Sequence, residues 1–404
     1  MADLVSPGVQ VKEKDLTASV RSEPTSIGAG TIVADWGPMN EVITISDETQ
    51  LVDIFGKPNV INYEYWFSAA NFLNYTSTLR LVRMETTGVK NAGVSGTAVL
   101  IPNTTSYEVG DGTQGPFADG SANVGQFAAR FPGSLGNSLK VSACWTGAGY
   151  SKATGAGAGA TGVVASGGTA GSLTVTFGTG EGANWAAGDL MSFPTIAAEK
   201  GQKYSVVSVA GEIVTIKRYP AVNAVGFRST IAATTVATKS WQYYDEFDAA
   251  PATTTWCKNM QGQASTETGT GLDEMHIIVI DEDGLITGTS GAVLERFSSL
   301  SKFAGAVTDS GDNNYWWDAI YIGSNYIYIM DDPAGTLTNW GVAPNPDGTT
   351  AMVPTAAFQT SSLTLGIAHV APTNGERTTA FERFEDPDEV DFNFKAKAFV
   401  EPND

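Results

Sequence analysis

The chain has 404 residues, 42% of them hydrophobic, with 43 acidic against 23 basic side chains and a net charge of -20. That length and apolar content call for two or three packed domains and exclude a disordered chain. The acidic surplus, with no Lys/Arg cluster, excludes direct nucleic-acid binding, and no apolar run is long enough for membrane insertion.

An extended, charged arm opens the chain. Pro7 lacks an N–H, Gly8 leaves the backbone free, and Val9 and Val11 alternate with Gln10 and Lys12, as in a short edge strand. Two readings stand at this point: a terminus or edge strand of its own sheet, or a strand added to a neighbouring subunit. Met1 to Lys14 lacks the apolar core of a signal peptide, so a cytosol-like compartment is expected.

An α/β segment begins near Pro24. Ser46 is expected to cap a helix with Asp47 and Glu48 in its first turn and Leu51, Val52 and Phe55 on one face, stopped by Gly56 and Pro58. A second helix is expected over Tyr63 to Leu73, and a strand over Leu79 to Met84.

Between about Gly96 and Gly271 the texture is short β runs and turns. A stretch of Gly, Ala, Thr and Ser from Gly147 to Gly171 reads as a linker or surface loop. Strands are expected at Leu173–Phe177, Asp189–Phe193, Lys203–Val209 and Ile213–Lys217, the pattern of a small barrel or sandwich. From Met275 the α/β texture returns. His276–Ile280 is an apolar strand suited to a sheet covered on both faces, Val293–Phe303 a helix or turn, and Tyr326–Ile329 a further strand.

These textures divide the chain into an arm at 1–22, the first part of an α/β domain at 23–95, a β-rich insertion at 96–271 with its linker at 147–171, and the second part of the α/β domain at 272–404. The fold class is α+β multidomain, an α/β core interrupted by an inserted β-rich barrel or sandwich.

Catalytic and ligand-binding patterns are scarce. His276 and His369 neighbour no nucleophile and read as hydrogen-bonded structural residues. Cys144 and Cys257 lack metal spacing and read as buried thiols. Asp281, Asp283 and Gly284 imitate the start of a calcium loop but lack its later acidic ligand, so the turn reading prevails. Glu382, Glu385, Asp386, Asp388 and Glu389 form an acidic cluster that reads as a solvated helix end, with pairing to a basic patch on a neighbour as the alternative. No elbow serine or phosphate loop occurs, so no enzyme activity, cofactor or metal is expected.

The order of several segments carries a resemblance. They are Ser6-Pro-Gly-Val9, Ile27-Gly-Ala-Gly30 running to Trp36-Gly-Pro38, Phe55-Gly-Lys-Pro58, Leu79-Arg-Leu-Val-Arg-Met84, Phe131-Pro-Gly-Ser134, Tyr243-Tyr-Asp-Glu-Phe-Asp248 and Val279-Ile-Asp-Glu-Asp-Gly284. Together the chain resembles the N-terminal and middle part of contractile-tail sheath proteins of long-tailed, myovirus-type bacteriophages. Phe381 to Val390 looks like the family's late helix and the strand after it. The family's further C-terminal portion has no counterpart here, so either a fragment or a short, divergent member is expected.

The resemblance implies a structural subunit that stacks as six-fold helical rings around a tail tube and contracts to drive the tube through the host envelope. It implies contacts with other copies of itself, with the tube protein and with baseplate and tail terminator proteins, in the virion tail, after assembly in the bacterial cytoplasm. It also favours inter-subunit strand exchange by the arm, with Val5, Val9, Val11 and Leu16 as its side chains. The alternative reading is a glycan-binding β-rich adhesin, virion-associated or free, using Trp185, Tyr204, Trp241, Tyr243 and Tyr244 as an aromatic platform.

Overall fold

The computed structural model describes residues 27–110, 124–150, 164–220, 223–260, 273–333, 358–385 and 394–395. Helices and strands are mixed throughout, in four sheets.

The first sheet holds β1 (Ile27–Ile32), β2 (Val42–Ile45), β3 (Thr78–Arg83) and, from the far end of the chain, β16 (Phe394–Lys395). Its order is β16-β1-β3-β2, with β1 parallel to both neighbours and β2 antiparallel to β3. Helix α1 (Glu48–Phe55) buries Leu51 and Phe55, and α2 (Tyr63–Leu73) buries Tyr65, Trp66, Ala69 and Ala70. The cap of α1 is Asp47, one residue later than expected. Its carboxylate accepts from Gln50 N, while Ser46 Oγ donates to the Asp47 side chain.

Glycine at position 28 follows from packing: a Cβ there would lie 2.4 Å from the Phe72 ring of α2. The late helix lies on this unit as well. Thr373 and Glu376 form a capping box at its start, Glu376 also accepts from Thr87 N and Oγ1, and Arg377 donates to Tyr65 Oη of α2.

The second sheet is antiparallel, ordered β13-β12-β5-β15, from β5 (Leu139–Cys144), β12 (Glu274–Asp281), β13 (Ala292–Ser301) and β15 (Phe358–Ser362). Strand β12 is covered on both faces. Met275, Ile277 and Val279 face a core with Trp145 and Trp316, whereas Ile278 and Ile280 face Trp241. Residues 292–301 form a strand where a helix or turn was expected, since the turn after Asp281 folds them back onto β12, with Phe297 opposite Ile277. Sheet membership also crosses the expected 96–271 boundary, because β5 lies between β12 and β15.

Beneath this sheet lie α6 (Trp316–Gly323) and the pair β4 (Phe127–Ala129) with β14 (Ile327–Ile329). The short helices are α3 (Thr104–Val109), α4 (Gly147–Tyr150), α5 (Thr255–Met260) and, late in the chain, α7 (Asn374–Glu382). In α3, Tyr107 stacks on Tyr328 with ring centres 4.1 Å apart.

A third, six-stranded antiparallel sheet has the order β11-β8-β9-β10-β7-β6. Its strands are β6 (Val164–Ser166), β7 (Thr174–Phe177), β8 (Leu190–Ser192), β9 (Lys203–Ala210), β10 (Ile213–Tyr219) and β11 (Thr238–Ser240). They enclose Val175, Phe177, Trp185, Phe193, Tyr204, Val214 and Phe227.

Candidate functional site: the seam between the first two sheets

The arm residues Val5, Val9, Val11 and Leu16 lie outside the described residues, as do Asp386, Asp388 and Glu389. The described residues instead point to the seam where the first sheet meets the second.

Strand β3 ends in Arg83, which is fully buried. Its Nη1 donates to Gly37 O of the first unit at 2.5 Å, and its Nη2 donates to Pro132 O of the second at 2.7 Å. One planar guanidinium thus ties two loops from different sheets, which a fork of fixed geometry does well. Burial pushes Arg83 down to about 9, and the Asp35 charge opposes that fall, so the group is cationic at neutral pH.

Asp35 is the anionic partner. Asn59 Nδ2 donates to its Oδ2 at 2.7 Å, and the buried His369 places Nδ1 2.9 Å from its Oδ1, in a contact without hydrogen-bond alignment. Burial raises the Asp35 carboxyl, but His369, Asn59 and Arg83 outweigh it and hold the group below its ordinary value.

Apolar contacts reinforce this polar node. Trp36 belongs to the loop after β1, yet its ring packs in the core of the second sheet, edge-on to Phe131 at 5.4 Å and tilted against Tyr326 at 6.2 Å. Gly133, at φ +138°, brings the second unit's loop so close that a Cβ would sit 2.3 Å from Asp35 O. Beside the seam is a cleft of about 800 Å³ lined in part by Trp36, Ile43, Val52, Lys57, Phe131 and Tyr326.

The seam brings no nucleophile and base together. Its contacts are structural: the Arg83 fork, the Asp35 cluster and the Trp36 ring join the two sheets. Sequence reasoning missed Arg83 and Asp35. His369 was read there as a structural histidine, but without its partner.

Other candidate residues have structural partners. His276 Nε2 contacts Ala249 O at 2.8 Å and its Nδ1 accepts from Ser299 N at 3.0 Å, which fixes the Nε2–H tautomer. Cys144 and Cys257 are buried thiols, each pushed up to about 12 by burial. Asp281 accepts from Ser138 Oγ, Ile286 N, Thr287 N and Thr287 Oγ1, so its oxygens brace the turn. Among the described residues, no cluster of His, Cys, Asp and Glu could hold a metal ion. Of the five aromatics considered as a glycan platform, Trp185, Tyr204 and Trp241 are core residues, with Tyr204 and Trp241 fully inaccessible.

Residues 25–84, nearly the whole first unit, match the family model described as the tail sheath protein Gp18 domain III N-terminal region. The chain is 32% identical over 112 residues to the tail sheath protein of Enterobacteria phage T4, an alignment covering 27% of this chain and 17% of that protein. It is 37% identical over 90 residues to the tail sheath protein of Vibrio phage KVP40, covering 22% and 13%. The broadest of these three alignments, at 28% identity over 352 residues, is with the tail sheath protein of Salmonella phage ViI and covers 81% of this chain and 49% of that one. The chain thus spans about half the length, or less, of the curated relatives it matches. By these matches the chain is similar to the tail sheath proteins of bacteriophages, and the family model falls on the unit that carries Asp35 and Arg83.

Proposed function

We propose that the chain is a structural, non-enzymatic subunit of a contractile tail sheath. It stacks with copies of itself in six-fold helical rings around the tail tube and contracts to drive the tube through the host envelope. Baseplate and tail terminator proteins bound the stack in the virion tail, and assembly takes place in the host cytoplasm.

The observation that carries this reading is the seam. A subunit that changes packing without refolding must move as a rigid body, and free energy then resides in the contacts between copies. The Arg83 fork, the Asp35 cluster and the interlocked Trp36 support such rigidity across the two units.

In this reading residues 1–22 form an exchanged arm. Val5, Val9, Val11 and Leu16 would enter pockets of a neighbouring subunit while main-chain hydrogen bonds add the arm to a sheet edge. The six-stranded unit is the inserted β region, facing outward. Val164 exchanges hydrogen bonds with Thr234 and Thr235, just before β11, which draws the first and last strands together as in a barrel.

Negative-stain microscopy of the purified full chain tests the reading. Rings or hollow tubes are expected; dispersed monomers at every salt and protein concentration tried would defeat it.

A further inference from the structure

Among the large apolar side chains left exposed, five fall within sixteen residues: Val60, Ile61, Tyr63, Phe67 and Tyr75. Val60 and Tyr75 are 89% and 90% accessible, and Phe67 is half exposed. Tyr63 and Phe67 are one helical turn apart on α2, and Asn71 and Tyr75 continue the same four-residue step beyond them. The opposite side of the helix, Tyr65, Trp66, Ala69 and Ala70, is buried on the first sheet. Helix α2 thus also presents Tyr63 and Phe67 away from the sheet, and the flanking Val60, Ile61 and Tyr75 extend that exposed apolar strip beyond its ends. The cleft at the seam opens beside this stripe, since Lys57, Pro58 and Asn59 line it and lead directly into Val60.

Charge decides what covers the stripe. The chain carries -20 overall, yet from Lys57 to Thr78 the only charged side chains are Lys57 and Glu64, which cancel. Copies of so acidic a protein repel one another over most of their surface, and a neutral apolar strip is where contact costs least.

We infer that the outer face of α2, with Val60, Ile61, Tyr63, Phe67 and Tyr75, is a contact surface between copies of this chain. The inference rests on the sheath reading but names a surface of its own. The contact is head-to-tail: the stripe meets a different patch of the next copy, as an open helical stack requires.

The test is sedimentation velocity and electron microscopy of the full chain as wild type, as Tyr63→Glu with Phe67→Glu, and as Phe67→Lys, with circular dichroism and thermal melts on each. Two carboxylates on the stripe should raise the concentration needed for self-association at least about tenfold, partly restored by high salt, while the melting transition stays in place. Phe67→Lys should be less damaging, because the facing copy is acidic.

Tubes that form at the wild-type concentration in the double variant overturn the inference and leave the sheath reading standing. Non-tubular oligomers that the double variant dissolves support the inference and defeat the sheath reading. A wild type that stays monomeric overturns both. A double variant with a lowered melting transition and unchanged assembly overturns the inference too, because the stripe is then covered from within its own chain.

Discussion

Arg83 Nη2 donates to the carbonyl of Pro132 at 2.7 Å, so the last residue of one sheet's central strand is hydrogen-bonded to a loop of the other. The same guanidinium also donates to Gly37 O, so one charge satisfies both carbonyls.

Replacing Arg83 with Met should therefore cost about 2–5 kcal/mol, because two buried carbonyls lose their donor, each costing about 1–3 kcal/mol. Arg83→Lys should recover only part of the loss, since a point charge cannot span both acceptors. Urea unfolding checks this: a lower midpoint is expected for both, and for the Met variant two separated transitions in place of one.

Asp35 makes the seam sensitive to acid. Its folded value lies below the unfolded 3.8, so the stability it contributes is complete above that value and is lost as pH falls through the folded one. Wild type should exceed Asp35→Asn in stability near neutral pH, and the gap should close as the solution is taken well below pH 3.8. Denaturant midpoints measured at several pH values provide the check.

Lys302 has the same sign of pH dependence, in an alkaline window. It is fully buried, its Nζ donates to Glu274 O at 3.1 Å, and burial pushes it down to about 8 from 10.5. Between those values the unfolded chain binds the additional proton, so this residue's contribution to stability rises with pH across that window. The gain is on the order of 3 kcal/mol. The Lys302→Met stability profile should lack that rise, so the difference between the wild-type and variant profiles should show it.

The six-stranded unit should be removable. Trp241 N donates to Tyr150 O at 3.2 Å, so the chain leaves the second sheet and returns to it at one point. Excising 151–240 and joining Tyr150 to Trp241 through a few glycines should leave a cooperative thermal transition. Excision from Gly96 to Gly271 should not, because it removes β5 from between β12 and β15.

Local signals were legible in the sequence, and long-range ones were not. The period of Tyr65, Trp66 and Ala69 gave α2 its bounds, and the unbroken run from His276 to Ile280 gave β12 its two covered faces. Val293, Leu294 and Phe297 carry helix-like spacing, yet pairing with β12 outweighs that local preference and makes them a strand. The aromatics of the β-rich region looked equally suited to a core or a platform, because composition does not tell inside from outside. The seam was hidden for another reason. Asp35, Arg83 and His369 come from three separated segments, and only tertiary packing brings them together.

The arm carries the heaviest part of the proposal, because in that reading it connects copies through the backbone. Sedimentation and negative-stain imaging of the full chain beside a form lacking residues 1–16 address it. The shortened protein should melt as the intact one does yet remain monomeric where the intact one builds rings or tubes. Ordered tubes from the shortened protein would contradict strand exchange outright.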